Sequence, residues 1–370
     1  MYLELILVFI LYSEVYSVCQ KSVTTASGSY APAGTICSGD LIFVEDFNEL
    51  RLDLWNHEET LGGRSSNNQF QWYTNNRNNS FVDNGILHIR PTLVADEYGE
   101  AFLYNGTIDL GTTCTTPLYD GCLRKGTKEI ILNPIKSARI NTNNTFTFKY
   151  GKVEVRAKAP LGDWLWPAVW MNPHLQVYSS WPRSGEIDLM ESRGNKNLYL
   201  HQTNIGVEQN GCTLHWGPNA IYDRYKYTHF PKNNKDGWNT KFHTYQLEWR
   251  PENITFFIDN NFIGVVSPPT GGFWELGKLN STGFTNLWEN GTNLAPFDQE
   301  FYFICNIAVG GTSFFSDMAS NTEYAKPWFN TDGRASMTKF WKAEDDWLPT
   351  WDIASDSSHL QIDYIKVRAL

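Results

Sequence analysis

The stretch Ser184-Gly185-Glu186-Ile187-Asp188-Leu189-Met190-Glu191-Ser192 places three carboxylates within six positions. In a regular strand Glu186 and Asp188 share one face and Ile187 and Leu189 the other, because successive side chains alternate. Strict alternation would send Glu191 to the apolar side. One extra residue, a β-bulge at Leu189–Met190, returns it to the face of Glu186 and Asp188. Acids crowded on one surface repel each other, so the arrangement serves chemistry rather than stability, and bulges are common beside active sites. Glycoside hydrolysis with retention uses two carboxyls about 5–5.5 Å apart. One attacks the anomeric carbon; the other protonates the leaving oxygen and then activates water. Like-charge crowding raises the pKa of the acid and helps keep it protonated. A middle acid can hydrogen-bond the nucleophile and share its proton. An E-x-D pair alone would read equally well as a solvated strand edge, and its neighbours decide the matter.

Those neighbours are aromatic. Trp164, Trp166 and Trp170 flank Pro167 in DWLWPAVWM, Trp181 precedes the acids, and His215-Trp216 follow in TLHWGP. Flat apolar faces with polar edges suit pyranose rings, which stack through their C–H faces and hydrogen-bond around the rim. Taken singly, each tryptophan fits a core as well as a groove. The run Asn67-Asn68-Gln69-Phe70-Gln71-Trp72-Tyr73 offers amides for sugar hydroxyls, or is an ordinary loop.

Strands must hold these residues. Phe148–Ala159 alternates cleanly, with Val153, Val155 and Ala157 on one side and Lys152, Glu154, Arg156 and Lys158 on the other. Phe242–Trp249, Ile254–Ile258 and Phe262–Val266 read as successive hairpin strands, and Gln361–Arg368 as the last strand. No segment shows sustained helical periodicity. The pattern predicts a twisted antiparallel β-sandwich with long loops at roughly 96–136, 219–240 and 270–300, whose curved sheet presents a groove on its concave face.

The chain has 370 residues, a formal charge of −10 and 15% aromatics. That length buries a large core, and the acidic surface without a Lys/Arg cluster disfavours nucleic acid and anionic membranes as partners. Residues 1–17 read as a signal peptide around the apolar run Leu5–Leu11, although no Lys or Arg precedes that run. Residues 18–37 read as an extended N-terminal lead-in. Six cysteines, an even number, fit an oxidising compartment, with Cys19–Cys37 and Cys114–Cys122 as local pairs. Asn-x-Ser/Thr sequons at Asn78, Asn105, Asn143, Asn253, Asn280 and Asn290 suggest a glycoprotein. A secreted, soluble monomer is expected.

The motif EIDLME (186–191) resembles the active-site motif of glycoside hydrolase family 16 in its bulged laminarinase form. Further family-like stretches are NNQFQWYT (67–74), SARI (137–140), YGKVEVRAK (150–158), WPAVWM (166–171), TLHWGP (213–218), FHTYQLEWRPENITFFID (242–259), CNIAVGG (305–311) and QIDYIKVRAL (361–370). They cover residues 38–370, the expected catalytic domain. With MTKFWKAEDDWLPTW (337–351), the chain is most similar to the insect branch holding β-1,3-glucanases and β-1,3-glucan recognition proteins. The resemblance implies a β-jelly-roll, with Glu186 as nucleophile, Asp188 as helper and Glu191 as acid/base. It implies that Asn68, Arg139, Trp166, Trp170 and His215 line the groove. It implies no cofactor for catalysis, and a structural Ca²⁺ on the convex side that Asp363, with backbone near Glu45, would fill. The activity implied is that of an endo-β-1,3-glucanase on laminarin-like glucan, for digestion of wall glucan or for defence. The rivals are a recognition protein that binds without cutting, and a mixed-linkage β-1,3-1,4-glucanase or transglycosylase. Recognition proteins of this branch lack the catalytic glutamates and carry an extra N-terminal domain. Here both glutamates stand, and about 20 residues precede the first family-like stretch after the leader. A pH optimum near or below neutral is expected, since a buried glutamic acid can be raised to about 6.

Overall fold

The computed structural model describes residues 18–62 and 67–370; the expected leader at 1–17 lies outside them. Two large antiparallel sheets form a jelly-roll sandwich. The nine-stranded sheet runs Thr25–Ser27, Thr147–Lys149, Phe301–Val309, Leu165–Pro173, Glu186–Ser192, Gln209–His215, His229–Asn233. Arg139–Asn141 also pairs with Phe301–Val309, and Asn56–His57 pairs with Arg139–Asn141. The eight-stranded sheet runs Asn261–Val266, Ile254–Ile258, His243–Trp249, Gly151–Lys158, Leu360–Arg368, Ile86–Ile89, Ser80–Asp83, with Leu41–Glu45 against Leu360–Arg368.

Period-two patterning explains the second sheet. Val153, Val155 and Ala157 are buried, while Lys152, Glu154, Arg156 and Lys158 are exposed or half-buried. The predicted hairpin strands form with bounds shifted by at most one residue. One continuous apolar cluster joins the inner faces, and its largest fully buried side chains include Trp55, Trp164, Trp216 and Trp249. Every residue of Phe301–Val309 is buried, because this strand runs inside its sheet under covering side chains.

Several features differ from the sequence expectation. The loop expected at 219–240 holds the edge strand His229–Asn233, the one at 96–136 holds the helix Glu100–Asn105 and the paired strands Thr107–Asp109 and Leu123–Lys125, and the one at 270–300 holds the helix Gly272–Leu276. Residues 18–37 are more than a lead-in: Thr25–Ser27 adds an edge strand against Thr147–Lys149, and Lys21 bridges Cys37. Short helices occur at Ser336–Lys342 and Glu344–Trp347, too short to display a helical period. Phe340 of the first stacks on Trp347 at 4.4 Å and meets Phe70 at 4.9 Å. Both local disulfides form, and Cys212 and Cys305 are buried thiols. Asn78, Asn105, Asn280 and Asn290 are exposed; Asn143 and Asn253 are half-buried.

Candidate active site

Glu186–Ser192 lies between Leu165–Pro173 and Gln209–His215. Asp188 pairs with Thr213 and Glu191 with Gly211, so three steps on the acid strand span two on its neighbour. Against the other neighbour the register slips at the same place, Trp170 opposite Asp188 and Val169 opposite Met190. The bulge thus sits at Leu189–Met190. Ile187, Leu189 and Met190 all enter the core, at 0–1% exposure. Burial of each stabilises by about 1.5–3 kcal/mol, and that seats the bulge. Glu186, Asp188 and Glu191 are left on the outer face, among the residues paired across from them.

One oxygen of Glu186, one of Asp188 and a ring nitrogen of His215 all lie within 4.8 Å of one another. His215 Nε2 is 3.4 Å from Asp188 Oδ2 and 3.9 Å from Glu186 Oε1. Asp188 Oδ2 accepts no hydrogen bond among the described residues. On its other side His215 donates from Nδ1 to Asp223 Oδ2 at 2.6 Å. Asp223 is itself fixed by the backbone N–H groups of Trp216 and Tyr225. Burial pushes the Glu186 carboxyl up to about 7, against the pull of His215. Burial, then the adjacent Glu186, raises Asp188 well above the usual carboxylate range. Burial opposes the His215 charge, but the Asp223 hydrogen bond and the acids Glu186 and Asp188 outweigh it and raise its pKa well above 6.5. Burial and mutual like charge thus favour protonation of the Glu186–Asp188 pair.

Glu191 Oε1 accepts a hydrogen bond from Trp166 Nε1 at 2.9 Å. Trp166 and Trp170 are four residues apart on one strand and so share its outer face. Trp170 donates from Nε1 to Asn306 Oδ1 at 2.8 Å, and Asn306 donates to the Tyr73 hydroxyl at 3.2 Å. Trp181 is exposed and meets the His215 ring at 5.8 Å. Trp164 and Trp216 lie in the core instead.

The remaining sequence candidates divide. Arg139 is 6% exposed and lies beneath Trp170, its guanidinium 4.8 Å from the indole, with Nε 3.1 Å from buried Glu58. It supports the groove rather than lining it. Asn68, half-buried with φ 49°, donates to Thr312 Oγ1 at 3.2 Å. Gln71 is buried, and its amide serves Val309 N–H and Gln69 rather than a sugar. Of the two residues expected near a structural Ca²⁺, Glu45 is buried and accepts from Arg51, Trp55 and the Phe47 backbone, and Asp363 pairs with Arg156.

Sequence reasoning missed Asp223 and Asn306. Asn306 carried a signal, as the one strongly polar side chain in the strand FYFICNIAV. Asp223 reaches the acids through His215, a tertiary contact that no local pattern encodes.

Residues 114–293 match the family described as Glycosyl hydrolases family 16. A β-1,3-glucan-binding protein of Penaeus monodon is 42% identical over 339 residues, covering 88% of this chain and 89% of that one. β-1,3-Glucan-binding protein 1 of Galleria mellonella is 36% identical over 359 residues, covering 95% and 67%. The solved laminarinase of Rhodothermus marinus superposes with a TM-score of 0.55 at 23% identity, covering 90% of this chain and 97% of that one. At that identity the likeness is one of fold.

Proposed function

This chain belongs to glycosyl hydrolase family 16, and we propose that it is a secreted, retaining endo-β-1,3-glucanase acting on laminarin-like glucans. The observation that carries the reading is the bulge, which sets Glu186, Asp188 and Glu191 on one face while sending Leu189 and Met190 inward. In the first step the Glu186 carboxylate bonds to the anomeric carbon. Glu191 gives its proton to the glycosidic oxygen, the carbon–oxygen bond breaks, and the sugar beyond it departs. In the second step Glu191, now a carboxylate, takes a proton from water. The water oxygen bonds to the anomeric carbon and Glu186 is released as a carboxylate. Asp188, which burial and the like charge of Glu186 hold toward its protonated form, lies beside Glu186 with an oxygen within 4.8 Å. The His215 cation, anchored by Asp223, offsets the negative charge of the pair.

Export is supported by the two disulfides, since such bonds persist in oxidising compartments. No helix among the described residues is long and apolar enough to cross a membrane. β-1,3-Glucan as ligand is supported by the names of the relatives. The same names favour a second reading, a protein that binds glucan without cutting it. Purified protein incubated with laminarin, curdlan, lichenan and cellulose separates the readings, with proton NMR of the first product anomer. The proposal expects laminarin to be cut and the β-anomer to form first. An α-anomer would contradict double displacement, preference for lichenan would indicate a mixed-linkage enzyme, and retention on laminarin without cleavage would favour the binding protein.

A further inference from the structure

A stack of three side chains ends on Glu191. The Trp166 and Phe314 rings lie 4.1 Å apart at an interplanar angle of 7°. The Arg193 guanidinium covers the other face of Phe314, with Cζ 3.8 Å from the ring centroid. Arg193 also donates to the Phe314 carbonyl, from Nη2 at 2.8 Å and Nε at 3.3 Å, and to the Ile205 carbonyl from Nη1 at 3.4 Å. A guanidinium stacks and donates in one plane at once, which an ammonium does not. Burial lowers the pKa of the Arg193 guanidinium to about 10, against the pull of Glu191.

The loop carrying Phe314 is fixed at several points. Gly310 N–H donates to the Trp164 carbonyl, Trp328 Nε1 to the Gly311 carbonyl, and Thr312 N–H to the Asn67 carbonyl. Gly310 has φ 58°, and a Cβ there would stand 2.0 Å from the Phe70 ring, so only glycine fits this turn. Phe315, the next residue, is buried against Trp164 at 5.4 Å. Phe314 is thus held by backbone and core contacts on one side and by a planar cation on the other.

We propose that Phe314 and Arg193 are positioning residues for Glu191, holding the Trp166 indole so that its N–H fixes one carboxyl oxygen and leaves the other to exchange the proton. This rests on the reading of Glu191 as acid/base. A carboxyl displaced by about 1 Å loses on the order of 100-fold in rate, and a general acid is worth about 100- to 10,000-fold in all. The loss should therefore appear only where proton transfer to the leaving group is needed.

The test compares parent protein, Phe314→Leu, Phe314→Tyr and Arg193→Lys on two substrates. Laminarin has a poor leaving group. The 2,4-dinitrophenyl glycoside of laminaribiose departs with little proton assistance, and its kcat/KM reports the first step alone. For Phe314→Leu and Arg193→Lys the inference expects kcat on laminarin to fall about 10- to 100-fold with KM within about 3-fold. It expects kcat/KM on the dinitrophenyl substrate to stay within about 3-fold, and Phe314→Tyr to keep parent rates. Equal losses on both substrates, a rise in KM alone, or unchanged rates would overturn it. Arg193→Lys keeps the core intact and decides the matter if Phe314→Leu fails to fold. A parent protein inactive on both substrates would overturn the reading of Glu191 itself, and the inference with it. A parent active on laminarin with unaffected variants would overturn the inference alone.

Discussion

The Glu186 side chain is 16% exposed and that of Asp188 5%, with like charge on either side. Their upward shifts make the acid strand costly to fold. Glu186 keeps its proton to about pH 7 when folded, against about 4.5 for a free glutamate. Between these values the folded chain binds more protons than the unfolded one, so stability falls as pH rises through the window. Glu186→Gln removes that titration. It should raise the melting temperature at pH 8 and leave it unchanged at pH 4, a difference of up to about 3 kcal/mol at roughly 1.4 kcal/mol per pK unit. Thermal melts at the two pH values decide it; no gain at pH 8 would contradict burial as the cause. Strand alternation with one bulge was enough to put Glu186, Asp188 and Glu191 on one face, whereas Trp166, Trp170 and His215 were expected from the family resemblance, and the structure places them on the strands beside these acids. Arg139 was misplaced because nothing local announces Glu58, the buried acid that draws it under Trp170.

At the level of elements, the acid strand reverses the usual economy of a bulge: its extra residue is not looped out but buried. Leu189 and Met190 are adjacent and both in the core, so the strand is locked in the register that presents Glu191. Met190→Ala should destabilise by about 2–5 kcal/mol, as large-to-small core changes do, measured by urea unfolding at neutral pH. A cost below about 1 kcal/mol would mean that the bulge is held by something other than packing. The bulge was readable because chemistry demanded it, and the hairpin strands because period two is a local property. The helices at Ser336–Lys342 and Glu344–Trp347 were not, since so few residues cannot display a 3.6 period. Their aromatic residues buttress Phe70 and, through Trp328, the turn that carries Phe314. Loop sequence alone could not reveal that support.

Across the whole molecule, the sandwich puts its stability and its chemistry on opposite sides of one sheet. The inner face joins the aromatic core, and the outer face carries the acids, the half-buried tryptophans and the His215–Asp223 pair. The N-terminal segment completes the edge of that sheet, tied by Cys19–Cys37. Family membership and fold leave cutting and binding as separate outcomes, since relatives named for glucan binding share the domain. The most direct measurement is reducing-sugar release from laminarin by the parent protein, by Glu186→Gln and by Glu191→Gln, each checked for folding and for retention on immobilised laminarin. The account predicts steady release by the parent, a loss of at least about 1,000-fold in each variant, and undiminished retention in all three. Release that survives either substitution, or a folded parent that binds laminarin and releases nothing, would contradict it.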